Sequence, residues 1–130
     1  EVLVRKADAG AAFAITQFFF TVEAYVQLRD RVAARGRELP IVPGLMPVTN
    51  VRQLARMTEL SGQPVPTAVT DRLVAVQDDP EAVREVGVEI ATELATALLA
   101  EGAPGIHFIT MNRSTSTLRV WDNLGLEAAP

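Results

Sequence analysis

Ala12-Phe13-Ala14-Ile15-Thr16-Gln17-Phe18-Phe19 decides the fold class. Its apolar residues fall on both parities, the pattern of a parallel strand covered on both faces. Gly10, just upstream, reads as the stop of a preceding helix. Downstream, Thr21 reads as the cap of a helix whose Val22, Tyr25, Val26, Leu28 and Val32 recur at helical spacing as far as Gly36. The same alternation then repeats. Pro40-Ile41-Val42-Pro43-Gly44-Leu45-Met46-Pro47 is a short buried strand, confined to a few residues by its prolines. Helices are predicted over 49–61 and 67–76, separated at Gly62 and Pro64. The clearest helix start is Asp79 as cap, Pro80 in first position and Glu81 in the first turn. Val83, Val86, Ile90, Leu94 and Leu98 form its apolar stripe, which Gly102 ends. Residues 106–111 read as a third strand, and 114–124 as a last helix.

Strands that alternate with helices imply parallel pairing through right-handed crossovers. Three such strands alone leave two open edges and an uncovered face, so the segment calls for the rest of a sheet or barrel. Periodicity alone does not choose between a doubly wound sheet and part of a barrel. The 130 residues fall short of the about 250 that a closed (β/α)8 barrel takes. The chain opens at Glu1 inside what reads as the tail of a helix, and the expectation is a piece of a longer protein.

Composition removes several classes of function. A net charge of −4, with basic residues scattered, argues against nucleic acid as a partner. With no cysteine there is no disulfide, Cys-ligated zinc or iron–sulfur site, and one histidine disfavours a His-rich metal centre. No apolar run approaches the roughly 20 residues of a membrane span, so a cytoplasmic α/β protein is expected. The open sheet edges admit self-association, which puts a homo-oligomer among the expected partners.

Several ordered blocks carry a resemblance. Lys6-Ala7-Asp8-Ala9-Gly10-Ala11, then Ile15-Thr16-Gln17 with Phe19-Phe20, closely resembles a K-x-D-A-G-A-x-x-x-I-T-Q-x-F-F segment of methylenetetrahydrofolate reductases. Agreement continues in register through Arg29-Asp30-Arg31, the run Ile41 to Asn50, and Gln53. It resumes at Gly105-Ile106-His107-Phe108 and Thr110-Met111-Asn112-Arg113. The resemblance implies an α/β fold made of the C-terminal three βα units of a (β/α)8 TIM barrel, with residues 1–130 as one segment of it. It also implies reduction of 5,10-methylenetetrahydrofolate to 5-methyltetrahydrofolate, with FAD passing a hydride from NADH or NADPH to the folate. The N-terminal remainder of the barrel becomes an expected partner.

Each candidate residue has a plainer reading beside the functional one. Gln17 closes a strand, where barrel enzymes place their chemistry, and its amide matches the donor–acceptor edge of a pterin. It could instead serve the following loop. Gln53 matches a folate-binding position of the family, yet Asn50-x-x-Gln53 is also a capping-box pattern. Arg113 matches a folate-binding arginine, whose paired donors suit the glutamate carboxylate or the pterin-side groups of the folate, although a loop arginine commonly makes a surface ion pair. Arg5 and Lys6 match positions that approach the FAD phosphates, against the ordinary reading of a solvated helix face. Asp8 is expected to be a local helix partner, His107 a packed core imidazole, and Phe18, Phe19 and Phe20 core. The sequence departs from the family at Met57 and Ile109, where aromatics are common, and at Val2, where a polar flavin contact is common. The resemblance places the general-acid glutamate upstream of Glu1, so no catalytic residue is expected in this chain. Glu23, Glu59, Glu89 and Glu93 read as exposed helix faces and do not replace it. The competing reading is a catalytically inactive half-barrel that binds folate or another chain.

Overall fold

The computed structural model describes residues 1–126; residues 127–130 of the expected single segment lie outside the described residues. Its elements are α1 (Val2–Asp8), β1 (Ala14–Phe18), α2 (Val22–Ala33), β2 (Ile41–Leu45), α3 (Gln53–Ser61), α4 (Thr67–Val74), α5 (Pro80–Ala100), β3 (His107–Phe108) and α6 (Thr115–Asn123). The strands form one parallel sheet in the order β1-β2-β3, so the alternation of strands and helices was read correctly.

Cap chemistry explains the best-defined helices. Thr21 accepts a hydrogen bond from the Ala24 N–H at 3.3 Å and opens α2. Asp79 accepts from the N–H groups of Glu81 and Ala82 at 2.9 and 3.2 Å, with Pro80 in the first turn of α5. Gly62 closes α3 in a left-handed conformation, φ 67°.

Two apolar clusters share α5. Its C-terminal half, with Val88, Ala91, Ala95 and Leu98, packs with Tyr25, Ile41, Leu45 and Val120. Its N-terminal half joins the second cluster through Val83, beside Phe18, Val48, Leu54, Met57 and Leu73. The helix lies so close to the loop after β2 that a Cβ on Gly87 would stand 1.8 Å from the Val48 carbonyl oxygen. Met57, only 1% exposed, fills this second core.

Four expectations need correction, while the uncovered face expected of three strands alone is present: Phe13 and Ile15 are 56% and 52% exposed. The helices cover the face that carries Ile41, Pro43 and Leu45 and leave the opposite one bare. His107 is exposed rather than a packed core residue, because it too lies on an uncovered side of the sheet. The third strand is His107–Phe108 rather than 106–111, since Met111 and Asn112 turn into left-handed conformations at φ 50° and 61°. Finally, α3 begins at Gln53. Asn50 draws residues 50–52 into a turn, accepting from the Arg52 N–H at 2.9 Å. Phe18 is buried as expected, with Phe19 and Phe20 partly so. Asp8 pairs with Arg37 in the loop before β2, not with a neighbour on its own helix.

Candidate functional site at the C-terminal strand edge

Because the strands are parallel, the loops that leave β1, β2 and β3 gather at one edge of the sheet. β1 reaches that edge irregularly. Ile15 pairs with Val42 and Phe18 with Gly44, so β1 carries one residue more than β2 across this interval. The bulge holds Thr16 and Gln17. Thr16 Oγ1 takes the place of a ladder acceptor, receiving the Gly44 N–H at 3.1 Å while donating to the Gln17 carbonyl at 2.7 Å. Bulges re-aim side chains, and here the Gln17 side chain is left exposed at the strand end. Gly44 permits this approach, since a Cβ there would meet the Thr16 carbonyl oxygen at 2.6 Å.

Gln53 opens α3 with half of its amide already engaged. Its Oε1 accepts from both the backbone N–H and the hydroxyl of Thr49, at 3.3 and 3.2 Å. The capping-type contact is therefore present, made to Thr49 rather than Asn50. It also leaves the amide NH2 as the group Gln53 offers to a ligand. Arg113 follows the left-handed pair Met111-Asn112, and its N–H donates to the Thr110 carbonyl at 2.8 Å. Its side chain is exposed and has no carboxylate in ion-pair range among the described residues.

Gln53 and Arg113 line one cavity of about 880 Å³ between the starts of α3, α5 and α6. Gln17 lies at the same edge of the sheet but not in that lining. Arg5 and Lys6 are not brought there. They sit exposed on the last turn of α1, whose neighbour Asp8 reaches the loop before β2 and hence the other edge. Glu23, Glu59, Glu89 and Glu93 are exposed on helices and absent from the lining.

Sequence reasoning missed Arg52, Arg84, Asp78 and Ser116, which also line the cavity. The available signal was position: each stands within one turn of a helix start that follows a strand or a capping residue. Among the described residues, Asp78 is the one carboxylate in the lining, against three guanidinium groups. Such a site suits a polar, anionic ligand with hydrogen-bond acceptors. Among the described residues, no group of three or more His, Cys, Asp or Glu could hold a metal ion. No described helix is long and apolar enough to cross a membrane.

The family model described as methylenetetrahydrofolate reductase matches residues 1–125. The 5,10-methylenetetrahydrofolate reductase of Pectobacterium carotovorum subsp. carotovorum is 40% identical over 124 residues, 95% of this chain and 42% of that protein. The enzyme of the same name from Escherichia coli K12 is 37% identical over the same shares. The chain thus spans less than half the length of these relatives. Among solved structures, an uncharacterized protein from Clostridium thermocellum, described as binding two copies of 5-methyl-5,6,7,8-tetrahydrofolic acid, aligns with a TM-score of 0.59. That alignment has 20% identity and covers 95% of this chain and 46% of the other, a likeness of fold.

Proposed function

The chain belongs to the methylenetetrahydrofolate reductase family, and from that premise we propose that it forms the folate-binding wall of a reductase. The reaction is conversion of 5,10-methylenetetrahydrofolate to 5-methyltetrahydrofolate with NADH or NADPH. The observation that carries this reading is the gathering of Gln17, Gln53 and Arg113 at the C-terminal edge of a parallel sheet, two of them in one cavity.

In this account Gln17 holds the donor–acceptor edge of the pterin. Gln53 gives an N–H to a ligand acceptor, because its oxygen is held by Thr49. Arg113 offers paired donors to a carboxylate. The segment is the C-terminal part of a (β/α)8 barrel, and its bare sheet face becomes a stretch of the barrel's inner wall. The face with Phe13 and Ile15 supports this, since large apolar side chains at such exposure call for cover. The missing cover is the remainder of the barrel. FAD, when bound, supplies hydride transfer between the nicotinamide and the folate. Arg5 and Lys6 fit its phosphates in charge, as exposed cations without ion-pair partners among the described residues, although they lie toward the opposite edge from Gln17, Gln53 and Arg113. A cytoplasmic site of action goes with the soluble substrates.

The test is NADH- and NADPH-dependent formation of 5-methyltetrahydrofolate by the intact protein that carries this chain, with and without Gln17→Leu. Loss of one hydrogen-bonding partner costs about 1–3 kcal/mol, so kcat/KM for the folate should fall roughly ten- to hundredfold. An unchanged kcat/KM removes Gln17 from the site. Folate binding without turnover by the intact protein selects the inactive reading.

A further inference from the structure

We propose that His107 is a further folate-contacting residue, standing with Gln17 on either side of Gly44 so that amide and imidazole hold two edges of one pterin ring. The inference rests on the folate reading above and names the side chain that shares the ring with Gln17.

The placement follows from strand parity and register. Along β1, Phe13, Ile15 and Gln17 are exposed on the bare face of the sheet, while Phe18 is buried on the helix side. On β2, Ile41, Pro43 and Leu45 face the helices, which gives the bare face to Val42 and Gly44. His107 pairs with Gly44, and Phe108 with Leu45, so the imidazole belongs to the bare face and is exposed there. Packing does not account for it. Ile106 and Phe108 join the apolar cluster on the helix side, and His107 between them is left out.

Gly44 brings the two polar heads within reach of one ligand. It carries no side chain to stand between them, and a Cβ there would meet the Thr16 carbonyl oxygen at 2.6 Å and the Gln17 carbonyl at 2.8 Å. The bulge of β1 therefore leans over Gly44 and carries Gln17 toward His107. Neighbouring strands lie about 4.8 Å apart, which puts the backbones of β1 and β3 roughly 10 Å apart. A flat two-ring heterocycle with polar atoms on opposite edges fits that span. Neither the Gln17 amide nor the His107 ring makes a side-chain hydrogen bond among the described residues. An imidazole with one N–H offers a donor and an acceptor in one plane, as a pterin edge does. β3 ends one residue after His107, at the strand edge where barrel enzymes gather their ligands.

The experiment is calorimetric titration of the intact protein with 5-methyltetrahydrofolate, with thermal melting of each form. The forms are the wild type, His107→Leu, His107→Gln, Gln17→Leu and the Gln17→Leu/His107→Leu double variant. His107→Leu should weaken folate binding roughly tenfold at an unchanged melting temperature, and His107→Gln, which keeps a donor and an acceptor, should recover most of the loss. The double variant should lose less than the product of the single losses, since either substitution loosens the shared ring. A second measurement needs no apolar substitution. The imidazole nitrogen resonance identified by its absence in His107→Gln should shift when folate is added to the wild type. Wild-type affinity in a folded His107→Leu, or an unmoved resonance, overturns this inference and leaves the folate reading to Gln17→Leu. Where His107→Leu loses both stability and affinity, the resonance decides. Single losses that simply multiply in the double variant overturn the shared ring. Failure of the wild type to bind folate overturns both readings.

Discussion

The Gln53 amide shows how a neighbour sets what a ligand meets. Thr49 occupies its oxygen with two donors, at 3.3 and 3.2 Å, and so turns the NH2 outward. Thr49→Val removes one of them and frees the amide to flip. Folate KM should rise between about twofold and tenfold, the worth of one neutral hydrogen bond, and Thr49→Ser should restore it. Equal effects of the two substitutions would show that Thr49 acts through packing alone. Gly44 sets Gln17 in a similar way. An added methyl would stand 2.6 Å from the Thr16 carbonyl oxygen, so Gly44→Ala must push the bulge apart. A loss of about 1–3 kcal/mol in urea unfolding is expected, with weakened folate binding. Part of this was legible in the sequence. Asn50-x-x-Gln53 announced a back-reaching amide, whereas the bulge at Thr16 left no sign, because it depends on the register with β2. His107 was misassigned for a related reason: alternation along a strand does not tell which face the helices will cover.

Among the elements, α5 joins the two cores, and its fit depends on the missing side chain of Gly87. With a Cβ 1.8 Å from the Val48 carbonyl oxygen, Gly87→Ala would force the helix away from the loop that carries Thr49. Overpacking typically costs about 1–3 kcal/mol, and calorimetry should show a lowered Tm. An unchanged Tm would contradict that packing. Tyr25 anchors α2 to β2, its buried hydroxyl donating to the Ile41 carbonyl at 3.2 Å. Burial raises its pKa above the ordinary 10.0, against a smaller opposing pull from Arg29. The unfolded chain therefore ionises first. This contribution to stability is complete below pH 10.0 and is lost as pH rises through the higher folded value. Tyr25→Phe should be less stable at neutral pH yet show a shallower decline in alkali, read from urea midpoints against pH. An identical alkaline slope would clear Tyr25 of that role. The helices were the legible elements because their starts are local chemistry, as at Thr21, Asp79 and Pro80. The third strand was overread because its early end is set by left-handed Met111 and Asn112, non-glycine residues whose turn had no composition signal.

At the scale of the whole molecule, the sheet has helices on one face and exposed Phe13 and Ile15 on the other. The alternation of elements made the parallel sheet legible and, with only three strands, its uncovered face; which residues would lie on that face was not legible, since residues apolar on both parities read the same on either side. The 130-residue chain assayed by itself should not reduce methylenetetrahydrofolate: none of Glu23, Glu59, Glu89 and Glu93 reaches the cavity, and general-acid catalysis is commonly worth about 10²–10⁴-fold. It should also associate through the uncovered strand edges, as sedimentation would show. Turnover by a monomer of this chain would contradict the assignment. The most direct test is a crystal structure of the intact protein with 5-methyltetrahydrofolate. The account predicts the folate at the C-terminal edge of β1 to β3, within hydrogen-bond reach of Gln17, the Gln53 NH2 and Arg113; a folate bound at the opposite edge, or touching none of the three, would contradict it.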